Sequence, residues 1–472
     1  MPKHHPIFGH FAAMRRSARL LPRNSTVHVV ISQISKQFPT GIFYLNLWPF
    51  SRTILVVTNP FAASQVEAAY LDKPNGICAT MDTINGGPSL MSMRGATWKT
   101  WKTWRGIFNP GFAAGYIGGI APAIADEVAV FCKQLQALAK KGEIFQLEEY
   151  TLRLTFDVIT RVTLDARLQY QTQGNIFADC VRRQINWTPY STTLNPFRFL
   201  SPRWLVQKYN NYHMDKYLDE EIDKRFQELN SSKKVFKELV KPQLRMFLYA
   251  GSDTTSSTLL YCYYLLSRHP LDMSKVRAEH DEVFGPDFSP ESCSKSIAAD
   301  PTLLNRIPYT LAVIKEVLRI FPPAGSSRDG RPDLVLTDEE DRQYPTEGCN
   351  VFTLNLAMHH SPRNFVDPEA FIPQRWLVGP QDPLYPKKGS WRAFEWGGRS
   401  CIGQTLAQLE LKVALVMTAR MFDITPSYDE WDELHPRKGL KVVDGNRVYQ
   451  AEMGGGGAHP ADGFPVRVVM RR

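Results

Sequence analysis

The sequence lacks any pair of cysteines with the C-x-x-C spacing of zinc sites and thiol redox motifs. Its seven cysteines lie at positions 78, 132, 180, 262, 293, 349 and 401. Their odd number and wide spacing argue against a disulfide framework and against a cysteine-rich zinc site. The sequence therefore fits the reducing side of a membrane.

Long apolar runs are also lacking. No stretch approaches the roughly 18–20 consecutive apolar residues that are needed to span a bilayer. The N-terminus carries His4 and His5, and it lacks the apolar core after a charged start that marks a signal peptide. We therefore expect a soluble or peripheral protein without a transmembrane anchor.

Nucleotide-binding glycine motifs are missing as well. There is no G-x-G-x-x-G, and the glycines at 454–457 are followed by neither a helix nor a Lys-Ser/Thr pair. The net charge is +9, but the longest basic runs are pairs such as Lys387-Lys388. A nucleic-acid-binding protein concentrates its charge on one stripe or helix, so this class is not expected. A basic patch that docks an acidic partner protein is the better interpretation.

The composition is that of a folded protein with a large core, because 43% of the residues are hydrophobic and 22% are charged. The length of 472 residues alone suggests two or three domains. No linker divides the chain cleanly, however, and helical patterns dominate it. We therefore predict one mainly α domain with a small β region, spanning residues 1–472.

Hydrophobic periodicity predicts the individual helices and strands. The predicted helices cover residues 27–38, 97–108, 121–141, 149–164, 213–229, 240–267, 270–284, 309–320 and 405–421. The predicted strands cover residues 42–47, 53–57, 442–443 and 466–470. Residues 81–95 are predicted to form a loop, and residues 187–204 a loop or a pair of short helices.

One short segment has an unusual combination of residues: positions 394–403 read FEWGGRSCIG and directly precede a predicted helix. A metal-bound thiolate needs backbone N–H groups directed at the sulfur, and glycines let the chain fold tightly enough to supply them. Arg399 can pair with a carboxylate through two hydrogen bonds, and Phe394 can shield the sulfur from water. Cys401 is therefore the candidate metal ligand, whereas the other six cysteines are expected to be buried small apolar residues.

This segment resembles the F-x-x-G-x-R-x-C-x-G cysteine loop of the cytochrome P450 monooxygenases, and every fixed position of that pattern is filled. The resemblance implies that Cys401 supplies the axial sulfur ligand of a haem b, with Phe394 and Arg399 beside it. It extends over residues 1–472. The fold that it implies is the family's triangular prism of helices around the haem, with a small sheet region.

A second family motif lies in the predicted long helix, where positions 250–255 read AGSDTT. Ala250 and Thr254 are four residues apart and share one helix face, and the Thr254 hydroxyl can hold a water or divert a backbone carbonyl. In the family this helix passes over the haem, and an acid–alcohol pair delivers protons to iron-bound oxygen. The resemblance implies this role for Asp253 and Thr254, with Ala250 beside the haem.

Two further motifs are structural in the family. Glu316 and Arg319 fit the pattern E-x-x-R, and positions 371–376, FIPQRW, fit F-x-P-x-R-W with Gln374 at the usual glutamate position. Taken alone, a Glu–Arg pair at i, i+3 is an ordinary surface contact worth about 0–1 kcal/mol. The resemblance instead implies that Glu316 and Arg319 are buried together with Arg375 and shape the cysteine loop.

The remaining haem contacts are also implied by the resemblance. The family pattern W-x-x-x-R, whose members donate hydrogen bonds to a haem propionate, fits Trp101 and Arg105. The local repeat WKTWKTWR offers Trp98 with Lys102 as a competing register. We favour Trp101 with Arg105, because arginine is the better bidentate donor. Arg328 is the expected further propionate donor.

These features imply a haem-thiolate monooxygenase that inserts one oxygen atom from O₂ into an organic substrate. A thiolate ligand pushes electron density onto the iron and favours cleavage of the O–O bond. Because the chain has no room for flavin or nicotinamide domains, the two electrons must come from a separate NADPH–cytochrome P450 reductase. Lys99, Lys102 and Lys412 are candidates for a basic face that docks this acidic partner.

The expected substrate is lipophilic. The segments implied to line the pocket, residues 81–93 and 187–204 together with Phe247, are apolar and aromatic. The motifs resemble those of fungal members from secondary metabolism, such as the sterigmatocystin-type pathways. Two alternatives stay open. One is a haem-thiolate enzyme that uses peroxide or rearranges its substrate, against which the Asp253–Thr254 pair counts, and the other is a non-catalytic haem-binding protein.

Two departures from the family pattern bear on location. The hydrophobic anchor that comes before the family's Pro-rich entry segment is absent, and the stretch between residues 229 and 245 looks short. The resemblance implies the cytosolic face of the endoplasmic reticulum. Without an anchor, contact with that membrane is expected to be peripheral.

Overall fold

The computed structural model describes residues 2, 4–5, 7–48, 51–94, 98–188, 201–226, 233–452 and 456–471. The described residues are 56% helical and 11% strand, which confirms the predicted mainly α fold with a small β region. The helices are α1 Phe11–Arg19, α2 Val27–Ser35, α3 Pro60–Ala68, α4 Asn75–Asn85, α5 Trp98–Phe108, α6 Ala114–Lys141, α7 Leu147–Leu164, α8 Ile176–Asn186, α9 Arg203–Phe226, α10 Lys233–Arg268, α11 Pro270–Phe284, α12 Pro290–Ala299, α13 Pro308–Ile320, α14 Asn355–His359, α15 Gln404–Thr418 and α16 Tyr428–Leu434. The strands are β1 Ile42–Leu45, β2 Thr53–Val57, β3 Phe145–Gln146, β4 Ser326–Asp329, β5 Val335–Thr337, β6 Gln343–Pro345, β7 Cys349–Thr353, β8 Phe422–Pro426, β9 Gln450–Glu452, β10 Ala458–Pro460 and β11 Pro465–Met470.

The predicted helices form, most of them close to their predicted bounds. Helix α11 begins and ends at the predicted residues, and α7, α13 and α15 differ from prediction only in their terminal turns. Helix α6 begins well before its predicted start, at Ala114. The burial of Ile117 and Ala121 in the core outweighs the low helix propensity of Pro122.

The loop predicted over residues 81–95 was wrong in its first part, because α4 continues to Asn85. Met81 and Ile84 are both buried and belong to the main hydrophobic core. Their spacing of three residues places them on one face of a helix, so packing decides the conformation here. The loop expected from the glycines and serines of this segment begins only after Asn85. There Gly86 adopts the left-handed conformation and ends the helix.

Some short elements were also predicted wrongly or not at all. The strand predicted at 442–443 does not form, and Val443 makes only an isolated bridge with Asn446. Helices α1, α3, α8, α12 and α14 were not predicted. For α3 and α12 a start signal exists in the sequence: Asn59 and Ser289 cap these helices and each is followed by a proline at the first helical position.

Helix α6 is long and apolar enough to cross a membrane by length and composition, contrary to the prediction that no stretch of this kind exists. Its most apolar 18-residue window has a mean hydropathy of 1.3. Ile124, Val128 and Phe131 of this helix are buried in the main hydrophobic core. The helix packs against α7, α12 and α15, so burial within the protein accounts for its hydropathy.

Helix α10 forms one wall of the centre of the molecule. It packs along α7 and also contacts α13 and α15, and almost all of its residues from 241 to 266 are buried. A helix that is enclosed on all sides in this way belongs to the core of a large protein. Helix α10 already begins at residue 233, within the stretch that looks short for the family, and residues 229–232 lie outside the described residues.

The main sheet has the strand order β1-β2-β7-β4. Strands β2 and β7 are parallel, with Val57 opposite Thr353, whereas the β1–β2 and β4–β7 pairs are antiparallel. In the last pair Arg328 lies opposite Val351. The sheet therefore fixes the position of Arg328 on its edge strand β4. A second sheet has the order β3-β11-β8, and β5–β6 and β9–β10 are separate hairpins.

A buried group of charges joins α13 to the loop that leads toward the cysteine segment. Glu316 accepts hydrogen bonds from Arg319 at 2.8 and 3.0 Å and from the Nε of Arg375 at 3.0 Å. The Trp376 indole also donates to Glu316, at 2.9 Å. All three charged side chains have no exposed surface. The prediction that Glu316, Arg319 and Arg375 are buried partners is therefore confirmed.

Replacement of Glu316 by alanine is expected to destabilise the protein strongly. Removing one member of a buried ion pair leaves the other charges without compensation, which costs about 3–5 kcal/mol. The measurement is the yield of folded, haem-loaded protein together with its thermal unfolding. The matched control is Asp126→Ala, which removes an ion pair with Arg167 whose two side chains are about half exposed and which should cost no more than about 1 kcal/mol. Equal stability of the two variants would contradict the structural role of Glu316.

Candidate active site

A cavity of about 280 Å³ lies between the middle of α10 and the segment that leads into α15. We call residues 394–403 the cysteine loop. Every predicted site residue except Asp253 lines this cavity, namely Trp101, Arg105, Ala250, Thr254, Arg328, Phe394, Arg399 and Cys401. The fold thus brings together side chains from α5, α10, β4 and the cysteine loop.

Cys401 is placed by the tight path of the cysteine loop. Its backbone N–H donates to the Phe394 carbonyl at 2.8 Å, which closes the loop, and Gly397 adopts a positive φ of 76° within it. A side chain at Gly403 would lie 3.9 Å from the Cys401 sulfur. Cys401 lies deep within the protein, but its side chain faces the cavity and keeps accessible surface there, whereas the other six cysteines are buried in the packed protein.

The surroundings of Cys401 act on its protonation in opposite directions. Burial raises the pKa of the thiol. The Gly403 and Gln404 N–H groups and the Arg105 guanidinium lower this pKa, because they favour the thiolate. Helix α15 starts at Gln404, so its N-terminal amides point toward the sulfur. These N–H groups are the ones that a metal-bound thiolate needs.

Four cations line the same cavity: Lys73, Arg105, Arg328 and Arg399. Burial, with the nearby positive charge of Arg328, lowers the pKa of Arg399 to about 10. Burial and the same arginine lower the pKa of Lys73 to about 8. A lowered pKa of these cations means that too little negative charge lies nearby to stabilise their charged forms. Lys73 was missed in the sequence, because it lies in no motif and reaches the cavity from the loop before α4.

Trp101 lies on the buried side of α5. Its indole N–H donates to the Leu90 carbonyl at 3.1 Å, and the Arg399 guanidinium lies 4.3 Å from the centre of its ring. In the competing register, Lys102 is exposed and does not line the cavity, and the side chain of Trp98 lies outside the described part of the structure. Arg105 lines the cavity and is anchored by a hydrogen bond from its Nε to Asn109 at 3.0 Å.

The opposite wall of the cavity comes from α10. The Thr254 hydroxyl donates to the Ala250 carbonyl one turn earlier, at 2.9 Å. Phe247 packs there against Phe108 and Phe112, with ring centres 4.9 and 5.1 Å apart. This wall is therefore apolar around Phe247 and also carries two hydroxyl-bearing residues, Thr254 and Thr255.

Asp253 lies beside Thr254 in the sequence, but its carboxylate is directed away from the cavity. It accepts hydrogen bonds from the Gly457 N–H at 2.5 Å and from the Nε2 of His459 at 3.1 Å. Both partners belong to the segment of the β9–β10 hairpin. The structure therefore does not bring the two members of the expected acid–alcohol pair together on the cavity wall.

The pocket-lining segments expected from the sequence are placed only in part. Leu90 and Met91 line the cavity, as does Phe247. Trp187 and Trp204 are exposed and do not line it, and residues 189–200 lie outside the described residues. The apolar lining comes from α10 and the loop after α4, and also from residues of other elements such as Phe112, Ile159, Phe394 and Leu406.

Two charged side chains of α15, those of Glu410 and Lys412, are buried, which was not predicted. Glu410 lines the cavity, and burial raises its pKa well above the usual value, which favours the neutral form of the carboxyl. Lys412 is buried and donates to the Leu304 carbonyl at 2.7 Å. The prediction that Lys412 belongs to a basic docking face was therefore wrong, whereas Lys99 and Lys102 are exposed on α5.

The residues that line the cavity fit a haem with a thiolate ligand. Cys401 offers one soft sulfur donor, which is the kind of ligand that iron accepts in haem proteins. Arg105, Arg328 and Arg399 offer the donors that carboxylates such as propionates bind bidentately. Phe394 and the apolar wall of α10 complete an environment suited to a large, flat, mostly apolar group.

Comparisons with known proteins agree with this geometry. The family model for cytochrome P450 matches residues 1–450. The cytochrome P450 monooxygenase polC of Polytolypa hystricis is 35% identical over 502 residues, which cover 100% of this chain and 89% of the relative. The cytochrome P450 monooxygenase acrF of Aspergillus aculeatus is 28% identical over 498 residues, covering 95% of this chain and 98% of the relative.

The fold matches solved structures as well. The crystal structure of the cytochrome P450DA haem domain superimposes with a TM-score of 0.79 at 20% identity, and the match covers 100% of this chain and 97% of that structure. At 20% identity the superposition shows only the fold. The family is shown by the family model and by the relatives found by sequence. The chain therefore belongs to the cytochrome P450 family and is a haem-dependent monooxygenase.

Proposed function

We propose that the protein inserts one oxygen atom from O₂ into a lipophilic secondary metabolite, with haem b as cofactor and a separate NADPH–cytochrome P450 reductase as electron donor. The observation that carries this proposal is the position of Cys401. Its side chain opens into a cavity that is lined both by three arginines and by apolar residues of α10. The similarity to fungal monooxygenases such as polC and acrF supports the proposed substrate class.

In this proposal, each cavity residue has a separate task toward the cofactor. Cys401 binds the iron, Arg105 and Arg328 pair with the propionates together with Arg399, and Phe394 covers the sulfur. The bound haem supplies the activation of O₂, which the electron density of the thiolate promotes. Lys73, which extends this set of cations, is expected to share the negative charge of the carboxylates and regain its full positive charge.

Proton delivery is assigned to α10. Thr254 holds a hydroxyl at the cavity wall, one turn from Ala250, so it can exchange its bond to the carbonyl for one to a bound water. Asp253 is the neighbouring acid. Positioned groups of this kind contribute about 10²–10⁴ to the rate of a reaction that needs protons.

A lipophilic substrate suits the shape and lining of the cavity. Phe112, Ile159 and Phe247 face it together with Leu90 and Met91, and binding sites of this kind select ligands mainly by apolar contact. The aromatic contacts of Phe247 with its neighbours hold this wall in place. The substrate is therefore expected to lie against Phe247 and Thr254.

The proposed docking face for the reductase includes Lys99 and Lys102, which are exposed on the helix that also carries Arg105. Complementary charge of this type speeds the encounter of two proteins more than it tightens their complex. The proposed location is the cytosolic face of the endoplasmic reticulum, with peripheral contact to the membrane. Activity with the reductase should accordingly fall as the salt concentration rises.

The replacement Cys401→Ala should abolish the thiolate-type absorption spectrum of the reduced, CO-bound protein. The reason is that no other cysteine opens into the cavity among the described residues. The matched control is Cys349→Ala, which removes a buried thiol from β7 and should leave that spectrum unchanged. A thiolate-type spectrum in the Cys401→Ala protein would overturn the proposed ligand.

Haem retention should depend on Arg105 more than on Lys102. Each hydrogen bond to a charged group is worth about 1.5–3 kcal/mol, so Arg105→Ala should weaken haem binding by about tenfold or more. Lys102→Ala should have little effect, because Lys102 is exposed. The measurement is the rate of haem transfer to an acceptor protein. The reverse order of the two variants would favour the register with Trp98.

The replacement Thr254→Ala should divert the reaction without loss of haem. NADPH is still consumed, but hydrogen peroxide replaces oxygenated product, because the hydroxyl at the cavity wall is lost. The control is Thr160→Ala, which removes a hydroxyl with the same bond to the carbonyl one turn earlier, at 2.7 Å, but outside the cavity. An unchanged ratio of peroxide to product would favour a peroxide-using or rearranging enzyme.

A further inference from the structure

Three titratable side chains from three distant parts of the chain meet behind the cavity wall. The His459 ring on β10 lies between two carboxylates: its Nε2 is 3.1 Å from Asp253 on α10, and its Nδ1 is 2.5 Å from Glu148 on α7. All three side chains are buried. The Nε2 contact with Asp253 is a hydrogen bond. The Nδ1 of His459 and the Oε1 of Glu148 approach each other as an ion pair without hydrogen-bond geometry.

The charges of this group are coupled. Burial alone opposes a charge on the ring, but Asp253 and Glu148 outweigh it and raise the pKa of His459 to about 10. Of the other described groups near Glu148, Tyr261 and Tyr428 are buried phenols whose pKa burial raises well above the usual value, so they remain neutral. His459 is thus the cation that balances Asp253 and Glu148.

Two glycines, Gly456 and Gly457, let the hairpin that carries His459 lie close against Asp253. A side chain at Gly456 would lie 2.6 Å from the Asp253 Oδ1, and one at Gly457 would lie 3.0 Å from its Oδ2. Only glycine lets the backbone approach the carboxylate this closely. The Ser257 hydroxyl adds a further tie to the hairpin by donating to the Ala458 carbonyl at 2.5 Å.

We propose that His459 is a positioning residue for oxygen activation: paired with Glu148, it holds the Asp253 carboxylate turned toward the β9–β10 hairpin, away from Thr254. Asp253 can act on Thr254 only after its bond to His459 is released. This inference rests on the proposed role of Asp253 and Thr254 in proton delivery. It extends that role to two residues, Glu148 and His459, that lie in no family motif quoted above.

The charge of the ring separates this role from a purely structural one. The variant His459→Gln keeps a side-chain donor but removes the positive charge, so two buried carboxylates are left without a cation, which favours uptake of a proton by the pair. In the wild type the two carboxylates raise the pKa of His459 to about 10, so the ring keeps its charge between pH 6 and pH 8. The variant should therefore titrate in a range where the wild type does not.

The test measures the hydrogen peroxide released per O₂ consumed during NADPH-driven turnover with purified reductase, without added substrate. The wild-type ratio should be flat between pH 6 and pH 8. In His459→Gln it should follow a titration curve that changes by up to about tenfold per pH unit, and His459→Lys, which restores the charge, should return it toward a flat profile. The control His280→Gln, which removes a buried ring bonded to Thr310, should stay flat. A flat profile in His459→Gln would overturn the proposal.

A second measurement needs neither turnover nor a stable His459→Gln protein. Nitrogen NMR of the histidine-labelled wild type should show one ring with both nitrogens protonated from pH 6 to pH 8, and Glu148→Gln should shift that signal. A ring that loses its proton near pH 6.5, the ordinary value for histidine, would also overturn the proposal. Failure of the underlying function is distinguishable: Asp253→Asn and Thr254→Ala would then leave the peroxide ratio at the wild-type value, regardless of His459.

Discussion

The buried carboxylate of Glu316 is the group around which the region below the cavity is organised. Because a carboxylate without exposed surface must be fully compensated, it draws Arg319, Arg375 and Trp376 together. The remaining N–H groups of Arg319 then hold three backbone carbonyls, those of His359, Pro368 and Ala370. A long segment with little regular structure is thereby fixed against α13, and the cysteine loop follows directly from it.

On the other side of the cavity the buried charges are positive instead of negative, and they too require compensation. Lys73 and the three arginines are gathered without enough negative charge to offset their burial, and the pKa values of Lys73, Arg105 and Arg399 are lowered. A site of this kind is stabilised when a dianionic cofactor enters, because its carboxylates replace the lost hydration. Haem binding and stability of the folded protein are therefore linked: the ligand binds the folded state and raises its population.

The sequence motifs predicted those site residues that lie together within one short segment. The cysteine loop, the AGSDTT turn and the E-x-x-R helix each place their residues through local geometry, and the cavity assembles them. Residues that reach the site from elsewhere were not predictable in this way. Lys73, Glu410 and His459 reach the site only through tertiary packing. Lys412 was wrongly predicted to lie on the surface, because the long aliphatic part of a lysine side chain lets its amino group reach a buried carbonyl. The orientation of Asp253 likewise depends on a hairpin some 200 positions later in the chain.

The parallel pairing of β2 with β7 has a consequence for how the protein is made. The two strands, Thr53–Val57 and Cys349–Thr353, are far apart in the chain, and pairing between such distant segments is slow because a large loop must close first. During synthesis, which proceeds from the N-terminus, β2 waits with an unpaired edge until β7 has left the ribosome. The main sheet, and with it the position of Arg328, is therefore completed late, so cofactor capture belongs to the final stage of biogenesis.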